Sequence, residues 1–377
     1  MKIKRVYYAI FEDLHDFPPC ISQIRMLARM GIEVIVLYSV CRDEVRTLLQ
    51  QEGVKMREIK KKRIHIKGIR GIVLRASFRE GCLKAMKEGG AEHSVLWAAT
   101  AETALQLTGV CQEMPRILSI LELHDTTNMQ MDKYIRPALG LALRRADAVT
   151  ACERGRAAIM KKWYHLDRIP WVLPNKPYDH PQVRCMKELE QYKPELAEKL
   201  KGKKIICYQG VFSKDRDLRP LAQALAKLNQ DYTLVLLGRD TQNCLPDLLG
   251  IYSRTMYLGE VTAPFHLYVT SYAHIGIAYY DESSLNNMFC APNKIYEYTG
   301  FGIPVLGNCI PGLEYSIGAS GAGVCVDFRN SKEILEGLSR IEAEYEGFEA
   351  HARKFFDSTD NFKTMQKIIR QVEQCRR

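Results

Sequence analysis

The 377-residue chain has no uninterrupted apolar run that approaches the roughly 18 residues a membrane span needs. Its start, MKIKRVYYAIFEDLHD, turns acidic and polar too early for a secretory signal, so a cytoplasmic protein is expected. No two of its 12 cysteines lie within four positions of each other. That spacing excludes CxxC zinc and redox motifs and leaves scattered buried thiols in a reducing compartment as the reading. There is no repeat of solenoid period and no low-complexity tract. With 46% hydrophobic and 26% charged residues the composition is that of an ordinary globular protein, not of a disordered one.

What the chain does have is a local excess of positive charge. Between Lys55 and Lys87, in KMREIKKKRIHIKGIRGIVLRASFREGCLKAMK, 12 Lys or Arg stand against 2 acids, an excess equal to the net charge of +10 of the whole chain. One reading is a solvated helix face and loop. The other is a surface for anionic lipid headgroups, at roughly 1 kcal/mol per basic residue, which would place the protein peripherally on the inner face of the plasma membrane. Nucleic acid is not expected as a partner, because no recognised binding motif or aromatic platform accompanies the charge.

A chain of this length predicts two domains. Apolar strands alternate with helical stretches: Val6 to Ile10, the helix ISQIRMLARMG, the strand IEVIVLYSV, then SVLWAAT, PRILSILELHD and ADAVTACERGRAAIMKKW. Such alternation argues for a parallel sheet covered on both faces by helices. The pattern breaks at IPWVLPNKPYDHPQ, where Pro170, Pro174, Pro177 and Pro181 pin extended chain. A charged stretch, CMKELEQYKPELAEKLKGKK, reads as one helix, and a second alternating series begins at KIICYQGVF. The expected division is an N-terminal domain over 1–170, a linker and charged helix over 171–203, a second doubly wound domain over 204–355, and a C-terminal helix over 356–377 that returns to the first domain.

In open parallel sheets ligands bind beyond the carboxyl ends of the strands, so the loops there are where chemistry is sought. The stretch APNKIYEYTGFGIPVLGN, 291–308, predicts a short helix opened by Pro292, where a missing amide does no harm. Asn293 and Glu297 fall on one side and Ile295 and Thr299 on the other, which directs the acid away from the apolar side. The helix N-terminus suits a phosphate, and a carboxylate one turn on can accept two hydrogen bonds from a ribose diol. A solvated glutamate is the plain alternative. Gly300 and Gly302 are expected to turn the chain into the IPVL strand. In YQGVFSKDRDLRPLAQAL, Gly210 ends a strand and a basic loop follows, where the guanidinium of Arg216 can meet two phosphate oxygens at once. Lys214 and Arg219 read better as solvated charges at the helix flank. The DRD triplet, Asp215 to Asp217, sits in that basic loop with Arg216 between the acids, which argues against a metal site.

The run PNKIYEYTGFGIPVL resembles the motif of retaining GT-B glycosyltransferases, particularly the family 4 type of bacterial surface-polysaccharide synthesis, in which a helix carrying the acid is followed by glycine, proline and a strand. The resemblance implies an α/β GT-B fold, two Rossmann-like doubly wound domains facing across a cleft. It further implies transfer of a sugar from a UDP- or GDP-sugar to a hydroxyl of a glycan or lipid-linked acceptor, with retention and without metal or other cofactor. By position Glu297 matches the ribose-binding glutamate, Gly210 and Arg216 match the loop that holds the donor diphosphate, and Asn293 and Lys294 stand beside it. Gly238 and the turn Leu258 to Val261, with Glu260 and Val261, match the turns lining the nucleobase pocket, although plain β-turns read equally well. Ser284 and Asn286 are candidate donors to the sugar or phosphate. His124 and Asp125, after the strand in LSILELHD, resemble the catalytic-region position near the sugar. Glu153 is expected to face the cleft, and the loop Glu12 to Cys20 corresponds to the acceptor side. Two positions depart from the pattern: Phe289 stands where many members carry a second acid, and Val211 where many carry a base. A non-catalytic nucleotide-sugar-binding or membrane-associated subunit, or an epimerase or phosphorylase of the same fold, are the rival readings.

Overall fold

The computed structural model describes residues 2–62, 69–107, 114–124, 132–228 and 231–375. The chain divides into two units, Met1–Tyr178 with Asp360–Arg377, and Asp179–Thr359.

The first unit is built on a wholly parallel sheet of β1 (Arg5–Ile10), β2 (Glu33–Tyr38), β3 (Lys55–Glu58), β4 (Ser94–Ala99), β5 (Arg116–Ile120), β6 (Ala148–Ala151) and β7 (Trp171–Val172). Its order is β3-β2-β1-β4-β5-β6-β7, so the winding reverses between β1 and β4. Tyr7 pairs in register with Ile35 on one side and Leu96 on the other. Helices on both faces require strands apolar on both faces, and β4 is buried at every position. Trp97, fully buried, stacks with Tyr8 at 6.1 Å and donates its indole N–H to Ser119 Oγ at 2.8 Å. The helix Asn361–Cys375 adds Met365, Ile368 and Val372 to this core.

The second unit repeats the scheme with β8 (Lys204–Gln209), β9 (Tyr232–Leu237), β10 (Thr255–Tyr257), β11 (Ile275–Ala278), β12 (Val305–Asn308) and β13 (Gly323–Val326). The order is β10-β9-β8-β11-β12-β13, with the reversal between β8 and β11. One face packs Cys207, Val235, Tyr298 and Phe301, the other Ile206, Leu234, Leu306 and Phe328.

The charged stretch expected as one helix is two, Met186–Tyr192 and Pro194–Leu200. Proline has no N–H to continue the first helix and its ring clashes with the preceding turn, so Pro194 opens a new one. Part of the basic segment forms β3 and the helix Arg70–Gly89, while residues 63–68 lie outside the described residues. Several of its charges have partners: Lys55 with Glu33, Arg57 with Glu88, and Arg75 with Glu102. Lys61 lies 3.7 Å from the Phe11 ring centroid. The described cysteines are all free thiols. No described helix is long and apolar enough to cross a membrane.

Candidate functional site

At the carboxyl edge of the second sheet the backbone itself makes a close approach. Gly210 follows β8 and Gly238 follows β9, both at φ 136°, a conformation open to glycine and strained for other residues. A Cβ on Gly238 would stand 1.9 Å from the carbonyl oxygen of Gly210, so no side chain fits there. Gly210 N–H donates to Leu237 O at 2.8 Å and Gly238 N–H to Gly259 O at 2.9 Å, which draws the ends of three strands together. The edge lies beside the β8–β11 reversal, where this class of sheet opens a crevice.

Into this edge projects the helix Asn293–Thr299, with Pro292 as its N-cap. Every residue from Lys294 to Thr299 is buried. The plain alternative of a solvated glutamate is thereby excluded: the helix packs against β11, β12 and two other helices, so the side that carries the acid is covered as well as the apolar one. Glu297, 7% exposed, is accommodated by polar partners. Its Oε2 accepts from Gln209 Nε2, the last residue of β8, and its Oε1 lies 3.1 Å from His266 Nε2. Thr270 Oγ1 donates to Gln209 Oε1 and so fixes the amide's orientation. Burial works against a charged carboxylate here, but His266 and Gln209 outweigh it and hold Glu297 below the ordinary carboxylate range.

Lys294, one turn earlier, is 5% exposed, and its Nζ is buried without a hydrogen-bond partner among the described residues. It lies 4.0 Å from the ring centroid of Tyr208 and 5.2 Å from that of Tyr280, and a Cβ on Gly210 would come within 3.2 Å of it. The guanidinium of Arg216 sits 4.8 Å from the same Tyr280 ring, and its Nε is likewise buried without a hydrogen-bond partner among the described residues. Asp215, 3.7 Å from Arg216, is the nearest acid, and that distance is beyond a hydrogen bond. Burial, and next the charge of Arg216, push the Lys294 amine well below its usual value, with Glu297 opposing. Both cationic side chains border the Tyr280 ring, and among the described residues Lys294 Nζ and Arg216 Nε lack the acceptors that buried polar atoms normally have.

No protein-family model and no curated protein matches the chain. Solved structures do. HepE of Anabaena, in complex with UDP and glucose, superposes with a TM-score of 0.74 at 13% identity, over 98% of this chain and 100% of that one. A sucrose-phosphate synthase from Thermosynechococcus elongatus gives 0.70 at 13% identity, over 99% and 98%. The lipopolysaccharide outer core galactosyltransferase WaaB gives 0.59 at 13%, over 97% and 99%. The chain has the GT-B fold.

Within this GT-B fold the sequence-predicted residues Gly210, Arg216, Gly238, Lys294 and Glu297 converge on one sheet edge of the second unit. Asn293 is the first residue of the Glu297 helix and half-buried, and Asn286 lies on the short helix Leu285–Met288, which Ser284 caps by accepting from Asn287 N–H at 3.1 Å. Glu260 is exposed and stands 3.5 Å from Arg239, while the Val261 side chain belongs to the apolar core. His124 follows β5 in the first unit and is half-buried; Asp125 lies outside the described residues. Glu153 caps the helix Arg154–Tyr164, accepting from Arg156 N–H at 2.8 Å, which gives its carboxylate a local structural task. In the DRD triplet, Asp215 accepts from Ser213 and Asp217 from Arg219. Sequence reasoning missed Gln209, His266, Thr270, Tyr208 and Tyr280. Only Gln209 carried a signal, as the polar residue closing the apolar run KIICYQ.

Proposed function

We propose that this protein is a family 4-type GT-B glycosyltransferase that moves a sugar from a nucleoside-diphosphate sugar to an acceptor hydroxyl with retention, in glycan or polysaccharide biosynthesis. The observation that carries this reading is the amine of Lys294, buried beside Arg216 without an acceptor among the described residues. An isolated cation in such a place is costly, and a diphosphate docked against Gly210 would supply the missing acceptors to both groups. HepE, whose fold this chain shares, was also solved with UDP-glucose. The donor is therefore read as a UDP- or GDP-sugar.

The hard step is departure of the diphosphate from a carbon that gains oxocarbenium character. Preorganised positive charge aimed at the leaving group lowers that barrier. Lys294 and Arg216 fill that role, and no metal is part of it. Glu297, kept ionised by His266 and Gln209, accepts the ribose hydroxyls and sets the register of the donor. Gly238, Glu260 and Val261 border the base, and Asn286 and Asn293 lie toward the sugar and phosphates. The first unit takes the glycan or lipid-linked acceptor, with roles for His124, which follows β5, and for Asp125, the next residue in sequence. The acceptor hydroxyl attacks from the face the diphosphate leaves, and the departing phosphate takes its proton. The basic segment over 55–87 holds the protein on an anionic membrane from the cytoplasmic side.

The test is turnover across a donor panel with an extract of native acceptors. Glu297→Ala and Arg216→Ala are each expected to cut transfer by about a hundredfold or more in chains that still unfold cooperatively, with Glu297→Ala melting lower because it strands the buried donors of Gln209 and His266. Parent-level activity in both variants would sink the assignment. Donor binding with no transfer would instead identify a non-catalytic subunit, and conversion of the donor without any acceptor would identify an epimerase.

A further inference from the structure

The helix that carries Glu297 is held from behind as well as from the site. The chain crosses into the second unit at Asp179, and the next residue, His180, is 8% exposed. Its Nδ1 accepts the N–H of Gln182 at 3.0 Å, so the ring proton resides on Nε2, which donates to the backbone carbonyl of Glu297 at 3.0 Å. The ring lies 4.2 Å from the centroid of Phe301 and 5.0 Å from that of Phe356. Space for it depends on Gly300, whose φ of −61° is ordinary helix. A Cβ there would stand 2.5 Å from the His180 ring. The turn into β12 is made by Gly302, at φ 72°. The first glycine of TGFG thus serves the histidine rather than the turn.

The chain leaves the unit at Thr359 just beyond the same contact. Phe355 stacks on Tyr296 at 5.1 Å, and Arg353 donates to the carbonyls of both Phe301, at 3.2 Å, and Gln182, at 3.4 Å. Both passages of the chain therefore press on the helix Asn293–Thr299.

We propose that His180 is a positioning residue that ties the backbone of Glu297 to the crossing segment Asp179–Gln182, so that occupation of the ribose site and the geometry of that segment are energetically linked. The proposal rests on the reading of Glu297 as a ribose ligand. Linkage of this kind is reciprocal: whatever loosens the segment weakens nucleotide binding, and nucleotide binding stiffens the segment.

Two substitutions separate this role from simple packing. In His180→Gln the amide nitrogen reaches the place of Nε2 and keeps the bond to Glu297 O. In His180→Asn the amide reaches only the place of Nδ1 and loses it. Both remove the ring from Phe301 and Phe356 alike. Binding of UDP, GDP, ADP and inorganic pyrophosphate to the full chain is measured by titration calorimetry. His180→Asn is expected to weaken the best nucleotide about tenfold and His180→Gln no more than about twofold, as for loss or retention of one hydrogen bond, with pyrophosphate affinity unchanged in both. Gly300→Ala displaces the ring from the opposite side and is expected to give the same nucleotide-selective loss, which decides the matter if His180→Asn does not fold. Equal losses in the two His180 variants, or a loss that pyrophosphate shares, would overturn the proposal. A parent chain that binds pyrophosphate but none of the three nucleotides would overturn the reading of Glu297 itself, and the proposal with it.

Discussion

The two ends of the second sheet treat charge in opposite ways. At the amino ends of β8, β9 and β11 a single carboxylate, Glu342, is fully subscribed: Lys204 Nζ reaches its Oε2 at 2.7 Å, and Tyr232 OH and His274 Nε2 reach its Oε1 at 2.5 and 2.8 Å. The donors come from three strand starts, so the acid staples the sheet to the helix Ser331–Ala343. At the carboxyl ends Lys294 Nζ, Arg216 Nε and His266 Nδ1 are buried without hydrogen-bond partners among the described residues. Unmatched polar atoms subtract from stability, and matched ones do not. The same fold thus spends its polar groups on cohesion at one edge, whereas at the other it satisfies Glu297 and leaves Lys294 Nζ and Arg216 Nε uncompensated among the described residues, where a ligand is expected.

Replacing Lys294 should break this contrast most sharply. The folded-state pKa of Lys294 is depressed below 10.5, so the fold binds that proton less tightly than the unfolded chain does. The stability linked to it is complete above 10.5 and declines as pH falls. At neutral pH the lysine is therefore a burden on the ligand-free protein. Lys294→Met, similar in length and without charge, is expected to raise stability by about 1–3 kcal/mol in denaturant titrations. It should also reduce sugar transfer by about two to three orders of magnitude. A variant that lost both stability and activity would show that Lys294 is a structural ion rather than a ligand group.

The opposite edge should respond in the opposite sense. Burial alone would raise the Glu342 carboxyl, but Lys204, Tyr232 and His274 outweigh it and hold the acid low. Its contribution is therefore present above pH 4.5 and is lost as pH falls through the lower folded value. Glu342→Ala strands those donors and is expected to destabilise by about 2 kcal/mol at pH 7, with kcat and KM close to the parent's. A larger effect on donor KM than on the unfolding midpoint would mean that the two ends are not separate.

How much of this was legible beforehand follows from the range of the interactions. The parallel sheets were readable because strands covered on both faces are apolar at nearly every position, as in SVLWAAT and YTLVLL, and that is a local property. Glu297, Arg216 and the glycines were readable because they share short motifs at strand ends. Pro194 was visible but underweighted, since the charge pattern on either side of it reads as one helix. The environment of Glu297 was not readable. Gln209 reaches it across 88 positions and His180 across 117, and nothing in a helical wheel shows whether the polar side of a helix faces water or other buried groups. Periodicity reports which side is polar, not what covers it.

The smallest effect expected is a proton count. A diphosphate beside Lys294 favours the charged amine and raises its pKa toward the ordinary range, because an opposite charge within a few Å stabilises the ionised form. Binding at a pH between the amine's pKa in the free protein and that in the complex should then draw a proton from solvent, up to about one per nucleotide, by linkage. Titrating UDP in two buffers of different ionisation enthalpy measures that number directly. Uptake should vanish in Lys294→Met and persist in Glu342→Ala, and affinity should decline as pH rises through the pKa of the complex. Binding heats independent of buffer, or uptake unchanged in Lys294→Met, would mean that the amine stays charged without a ligand. The burial that separates the two ends of the sheet would then be balanced by some other group than the donor.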